Sequence, residues 1–120
     1  MNLRSYPEPV RVLVRAARAR LREWLPHAKE TRDPTAKMFA YTYGPGYRGV
    51  ICTLILSKSG VKLGIAGGAH MPDPERLLRG AGKLHRYVQL KSPEDLLQQG
   101  VKELVVAAGD AREAKAEKLV

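Results

Sequence analysis

From Pro9 to Leu25 the apolar residues Val10, Leu13, Val14, Ala17, Leu21 and Trp24 recur at steps of three and four, the pattern of an amphipathic helix. Pro9 suits its first turn, Glu8 sits at the positive end of its dipole, and Pro26 forbids continuation past Leu25. His27 to Asp33 carries no apolar periodicity and reads as a polar loop. Lys37 to Tyr43, Val50 to Leu56 and Val61 to Ile65 are short, β-branched or aromatic, and bounded by Gly, Pro or Ser, which predicts three strands. Lys58-Ser59-Gly60 predicts a tight antiparallel hairpin with Gly60 available for a left-handed conformation, and the Gly44 to Gly49 loop offers a second hairpin.

Farther along, Asp73-Pro74 predicts a helix of one or two turns, with Asp73 as N-cap, Leu77 and Leu78 packing, and Gly80 as its end. Leu84 to Leu90 alternates imperfectly and reads as a strand with Tyr87, Val88 and Leu90 as candidates for burial. Ser92-Pro93-Glu94-Asp95 is a short variant of the capping box and opens a last helix, whose apolar face runs through Leu96, Leu97, Val101, Leu104, Val105 and Ala108. Gly100 costs that helix about 1 kcal/mol against Ala and can divide it in two. The order predicts an α+β fold, an antiparallel sheet of about four or five strands with the N- and C-terminal helices packed on it.

One hundred and twenty residues suffice for a single domain, and no repeat or linker divides residues 1–120. With 44% apolar and 28% charged residues, wholesale disorder and a long coiled coil are excluded. No apolar run approaches the roughly 20 residues of a membrane span, and arginines interrupt the N-terminal stretch where a signal peptide would need an unbroken core. Cys52 stands alone, so no internal disulfide framework exists and a cytoplasmic setting is the expectation. Twenty-one Lys and Arg against 12 Asp and Glu leave +9, which favours a small anionic ligand, an acidic partner or nucleic acid. Monomer and homodimer are equally compatible with this composition.

Two basic groupings carry the candidate chemistry. Arg76, Arg79, Lys83, His85 and Arg86 cluster around Gly80 and Gly82, where open backbone lets a carboxylate or phosphate approach; this anion-accepting corner is the leading expectation. Gly80-Ala81-Gly82-Lys83 is not a Walker A loop, because Leu77 replaces the first glycine and Leu84 follows the lysine, so NTP hydrolysis is not expected. Arg11, Arg15, Arg18 and Arg22 share one face of the first helix, and with Tyr43 and Tyr47 as stacking rings they form the alternative, a nucleic-acid surface. His27, His70, His85 and Cys52 lack zinc-module spacing, so no metal or cofactor is expected. No serine stands in a nucleophile elbow, and Asp73 is better used as a cap than as a partner of His70. The expected role is therefore a non-enzymatic binding or accessory domain.

The stretch Leu63-Gly64, Gly68, Asp73-Pro74, Leu77-Leu78, Gly80-Ala81-Gly82-Lys83, His85-Arg86 and Ser92 with Asp95 resembles the YdhG-like family of small bacterial domains of unknown function. The resemblance covers about a third of the chain closely. It implies a small α+β architecture that has been compared with frataxin, and by that analogy an iron-handling accessory role is a further alternative. Members often carry a His before the second hairpin strand and a Phe after Leu-Gly; Gly60 and Ile65 stand there in this chain.

Overall fold

A computed structural model describes residues 2–44 and 49–118. Helix α1 spans Glu8–Trp24, with Pro9 in the first turn and Val10, Leu13, Val14, Ala17 and Leu21 buried, so the apolar stripe of the sequence is its inner face. The Leu25 N–H closes it on the Leu21 carbonyl at 2.8 Å. Strands β1 (Lys29–Asp33), β2 (Met38–Thr42), β3 (Val50–Ser57), β4 (Gly60–Ile65), β5 (Leu78–Arg79) and β6 (Arg86–Leu90) form one antiparallel sheet in the order β1-β2-β3-β4-β6-β5. Among the described residues the strands number six, where the sequence pattern suggests about four or five.

A 3-10 turn over Pro93–Leu97 leads into α2, Gln99–Lys118. The Asp95 carboxylate accepts the N–H groups of Lys91 at 2.7 Å and Ser92 at 3.1 Å, the backward half of the capping box. The final segment does divide, at Gln98, and Gly100 falls in the first turn of α2. A Cβ on Gly100 would meet the Glu75 carboxylate and the end of the Leu77 side chain, so the 73–77 segment packs close over this position and those side-chain ends would have to shift to admit a larger residue.

Both helices pack on β3 and β4 and cover one face of the sheet. Alternation places Phe39, Tyr41, Cys52, Leu54, Leu63 and Val88 on that covered face, where they are buried against Leu13, Val14, Val101 and Val105.

Three expectations need correction. His27 to Asp33 is not a loop, because Lys29–Asp33 pairs with β2 as an edge strand; without an apolar residue it gives no periodic signal. The Asp73 helix does not form. The Asp73 carboxylate accepts the N–H groups of Leu77 at 2.8 Å and Leu78 at 2.9 Å, too far along the chain for an N-cap, and Arg76 at φ +54° turns the backbone left-handed. Leu78 and Arg79 then enter the sheet beside β6. Finally, Gly60 is not left-handed; it opens β4 beneath Gln89, 3.2 Å from the position of an added Cβ.

Because the Asp73 carboxylate caps two amides of that turn, Asp73→Ala is expected to cost about 1–2 kcal/mol and to release β5 before any other strand. Urea midpoints with amide exchange resolved by residue would check this. Unchanged protection at Leu78 would contradict the role.

Candidate functional site

The α1 arginines do not stand as an open ladder. Arg18 grips Glu30 of β1 through Nη2 at 2.7 Å and Nε at 3.2 Å, and Arg22 reaches the same carboxylate at 3.5 Å. The Tyr41 hydroxyl donates to the other Glu30 oxygen. Burial alone would push the Glu30 pKa up, but the hydrogen bonds from Arg18 and Tyr41 and the charges of Arg18 and Arg22 outweigh it and hold the carboxyl at about 2. Burial and the Glu30 carboxylate push the Tyr41 phenol up. The Arg18 guanidinium also lies 4.5 Å from the centroid of the Phe39 ring. Arg11 is half-buried, and its Nε has no hydrogen-bond partner among the described residues; Arg15 is exposed. Tyr43 lies against α2 at Gly109, where burial and the carboxylates of Glu113 and Asp110 push its phenol up; these acids are poor neighbours for a phosphate backbone. Tyr47 lies outside the described residues.

The Gly80 to Arg86 corner is organised from within. Arg86 donates from Nη1 to the Gly80 carbonyl and from Nε to the Gly82 carbonyl, both at 2.8 Å, and its Nη2 makes no hydrogen bond among the described residues. Gly80, at φ +106°, lets its carbonyl turn in toward the guanidinium, and a Cβ there would press the Tyr87 ring at 3.3 Å. The Gly67 N–H donates to His85 Nδ1 at 3.1 Å, so the proton of the neutral ring sits on Nε2. The loop is further tied by the Ala69 N–H on the Leu84 carbonyl at 3.0 Å. Arg76, Arg79 and Lys83 are exposed. Arg79 joins the open face of the sheet by its register with Tyr87, while Arg76 sits in the turn after Asp73.

What the corner borders is a depression of about 370 Å³ on the sheet face that the helices leave open. Its origin is a matter of register. Ala40 pairs with Thr53, Thr53 with Gly64, and Gly64 with Tyr87, so a row of small side chains crosses three strands and ends against an aromatic wall. Thr53 fills part of the gap, since a Cβ on Gly64 would lie 2.5 Å from its hydroxyl. Met38, Val50 and Ile55 rise around this floor, and His85 and Arg86 close one end. Lys62 stands on the same face with its Nζ 4.6 Å from the centroid of the Tyr87 ring.

Of the seven residues predicted for the anion corner, His85 and Arg86 line this hollow, while Arg76, Arg79, Gly80, Gly82 and Lys83 do not. Ala40, Thr53, Gly64 and Tyr87 were not foreseen. The available signal was Val50 to Leu56, whose apolar residues point to both faces when only one is covered by helices. Asp73, Glu75 and Glu103 line a separate, smaller cleft of about 190 Å³.

Cys52 is buried and burial pushes its thiol up, so it stays protonated beneath the floor. Among the described residues no three His, Cys, Asp or Glu side chains gather as a metal would require. Among those residues, too, no helix is long and apolar enough to cross a membrane. No protein-family model, curated protein or solved structure matches the chain. The resemblance to the YdhG-like family thus gains no match from these comparisons.

Proposed function

We propose that this is a non-enzymatic, cytoplasmic binding domain whose open-face depression takes a small organic anion. The charged end lies at His85 and Arg86 and the apolar body over the Ala40, Thr53 and Gly64 row. Kinship with the YdhG-like family enters this reading on the residues from Leu63 to Asp95 alone.

The observation that supports it best is an apolar hollow with nitrogen donors at one end and, among the described residues, no carboxylate in its lining. Nη2 of Arg86 and Nε2 of His85 make no hydrogen bond among the described residues, and both side chains are held in place through their other nitrogens before any ligand arrives. Lys62 and Arg79 add positive charge on the same face. The volume falls at the low end of the roughly 300–1,000 Å³ usual for small-molecule sites, and the lining pairs no acid with a base.

Octanoate is a suitable ligand for calorimetry and thermal unfolding, with acetate and octylamine as controls. Octanoate is expected to bind and to raise the melting temperature, acetate to bind at least about tenfold more weakly, and octylamine not at all. Ala40→Leu fills the hollow and His85→Ala removes a donor; each is expected to weaken octanoate by about tenfold or more while the fold persists. Equal binding of octanoate and octylamine, or octanoate affinity indifferent to both substitutions, would overturn the reading.

A further inference from the structure

Strand β1 forms one edge of the sheet, and its five residues, Lys29-Glu30-Thr31-Arg32-Asp33, are complementary to themselves when reversed. Which of its backbone groups face outward follows from the neighbouring ladder. The Tyr43 N–H donates to the Gly49 carbonyl and the Lys37 carbonyl accepts from Leu56, so odd-numbered residues on β2 direct their backbone groups to β3. Even-numbered Met38, Ala40 and Thr42 therefore bond to their β1 partners Asp33, Thr31 and Lys29. Glu30 and Arg32 are left with both N–H and C=O turned away from the sheet.

A second copy laid antiparallel about Thr31 satisfies all of these groups at once. Glu30 and Arg32 of the partner subunit fall opposite each other as a hydrogen-bonded pair, and the same pair repeats across the twofold axis. On the open face of the sheet, Lys29 meets Asp33 of the partner subunit; on the covered face, Glu30 meets Arg32 of the partner subunit. Charged residues normally blunt an edge because they repel a second edge. Here two cations and two anions alternate so that self-pairing brings opposite charges together, on a neutral stretch of a chain carrying +9. Pro34 limits the pairing by removing the next outward donor. We infer that the protein forms a twofold homodimer by antiparallel β1–β1 pairing, joining two sheets into one. This inference is independent of the ligand reading.

Sedimentation velocity over a concentration series tests it, with circular dichroism to confirm the fold of each variant. The wild type is expected to pass from monomer to dimer as concentration rises. Lys29→Asp and Asp33→Lys each set like charges opposite one another and are expected to weaken the dimer by about tenfold, and the double exchange to restore it. Arg32→Pro removes an outward N–H while sparing the β2 ladder and is expected to abolish the dimer. A wild type that stays monomeric throughout, or a dimer indifferent to the single exchanges, would overturn the inference, as would a double exchange no tighter than either single one.

Discussion

Phe39→Ala is expected to destabilise the protein by about 3–5 kcal/mol, the largest effect of any substitution considered for this fold. Phe39 is fully buried on the covered face, beside Leu54 of β3, and its removal leaves a cavity that the helices above cannot collapse to fill. Its ring also lies near two guanidinium groups, Arg18 at 4.5 Å and Arg32 at 5.3 Å from the centroid. Phe39→Leu separates the contributions. It keeps most of the apolar volume and loses the ring, so a cost of about 1–2 kcal/mol is expected. Urea unfolding monitored through Trp24 would measure both, and equal costs for Ala and Leu would show that packing around the ring is not what holds β2 to the helices.

The second large effect concerns Glu30. Glu30→Gln is expected to cost about 2 kcal/mol at neutral pH, because the Arg18 guanidinium and the Tyr41 hydroxyl lose a charged acceptor in a partly buried setting. The pH dependence of stability should change with it. The unfolded carboxyl titrates near 4.5 and the folded one at about 2, so the unfolded state takes up its proton first as pH falls. The stabilisation is complete above about 4.5 and is lost as pH falls from there toward about 2; with allowance for solvent screening it amounts to about 1–2 kcal/mol. The raised Tyr41 phenol acts in the opposite direction at high pH, where its stabilisation is lost as pH climbs above 10. Unfolding midpoints measured from neutral pH into acid should therefore fall more steeply for the wild type than for Glu30→Gln. Parallel curves would exclude Glu30 as the source of acid sensitivity.

The arginine ladder shows how far sequence periodicity reaches. Spacing alone puts Arg11, Arg15, Arg18 and Arg22 on one side of α1, and the apolar stripe beside them is the buried face. The destination of the guanidinium groups depends on Glu30, twelve residues beyond Arg18, in a segment whose strand character comes from pairing and not from its own side chains. The same limit applies to Asp73-Pro74, which opens helices and turns alike; the outcome depends on the left-handed Arg76 and on β6 as a pairing partner for Leu78. The β3–β4 hairpin was legible because turn and strands are adjacent, with Ser57 opposite Gly60. Of the site, His85 and Arg86 were legible as nitrogen-bearing side chains beside glycines, whereas its floor was not, because Ala40, Thr53 and Gly64 become neighbours only through the register of three strands.

That row of small side chains belongs to a layer shared with neither helix. Ala40 and Thr53 can change in size without disturbing the contacts between Leu54, Leu63 and the helices on the far side of the same strands, whereas Gly64 admits a side chain only if Thr53 yields. On the proposed ligand reading, selectivity and folding are therefore separable, since alternate positions along one strand answer to different demands.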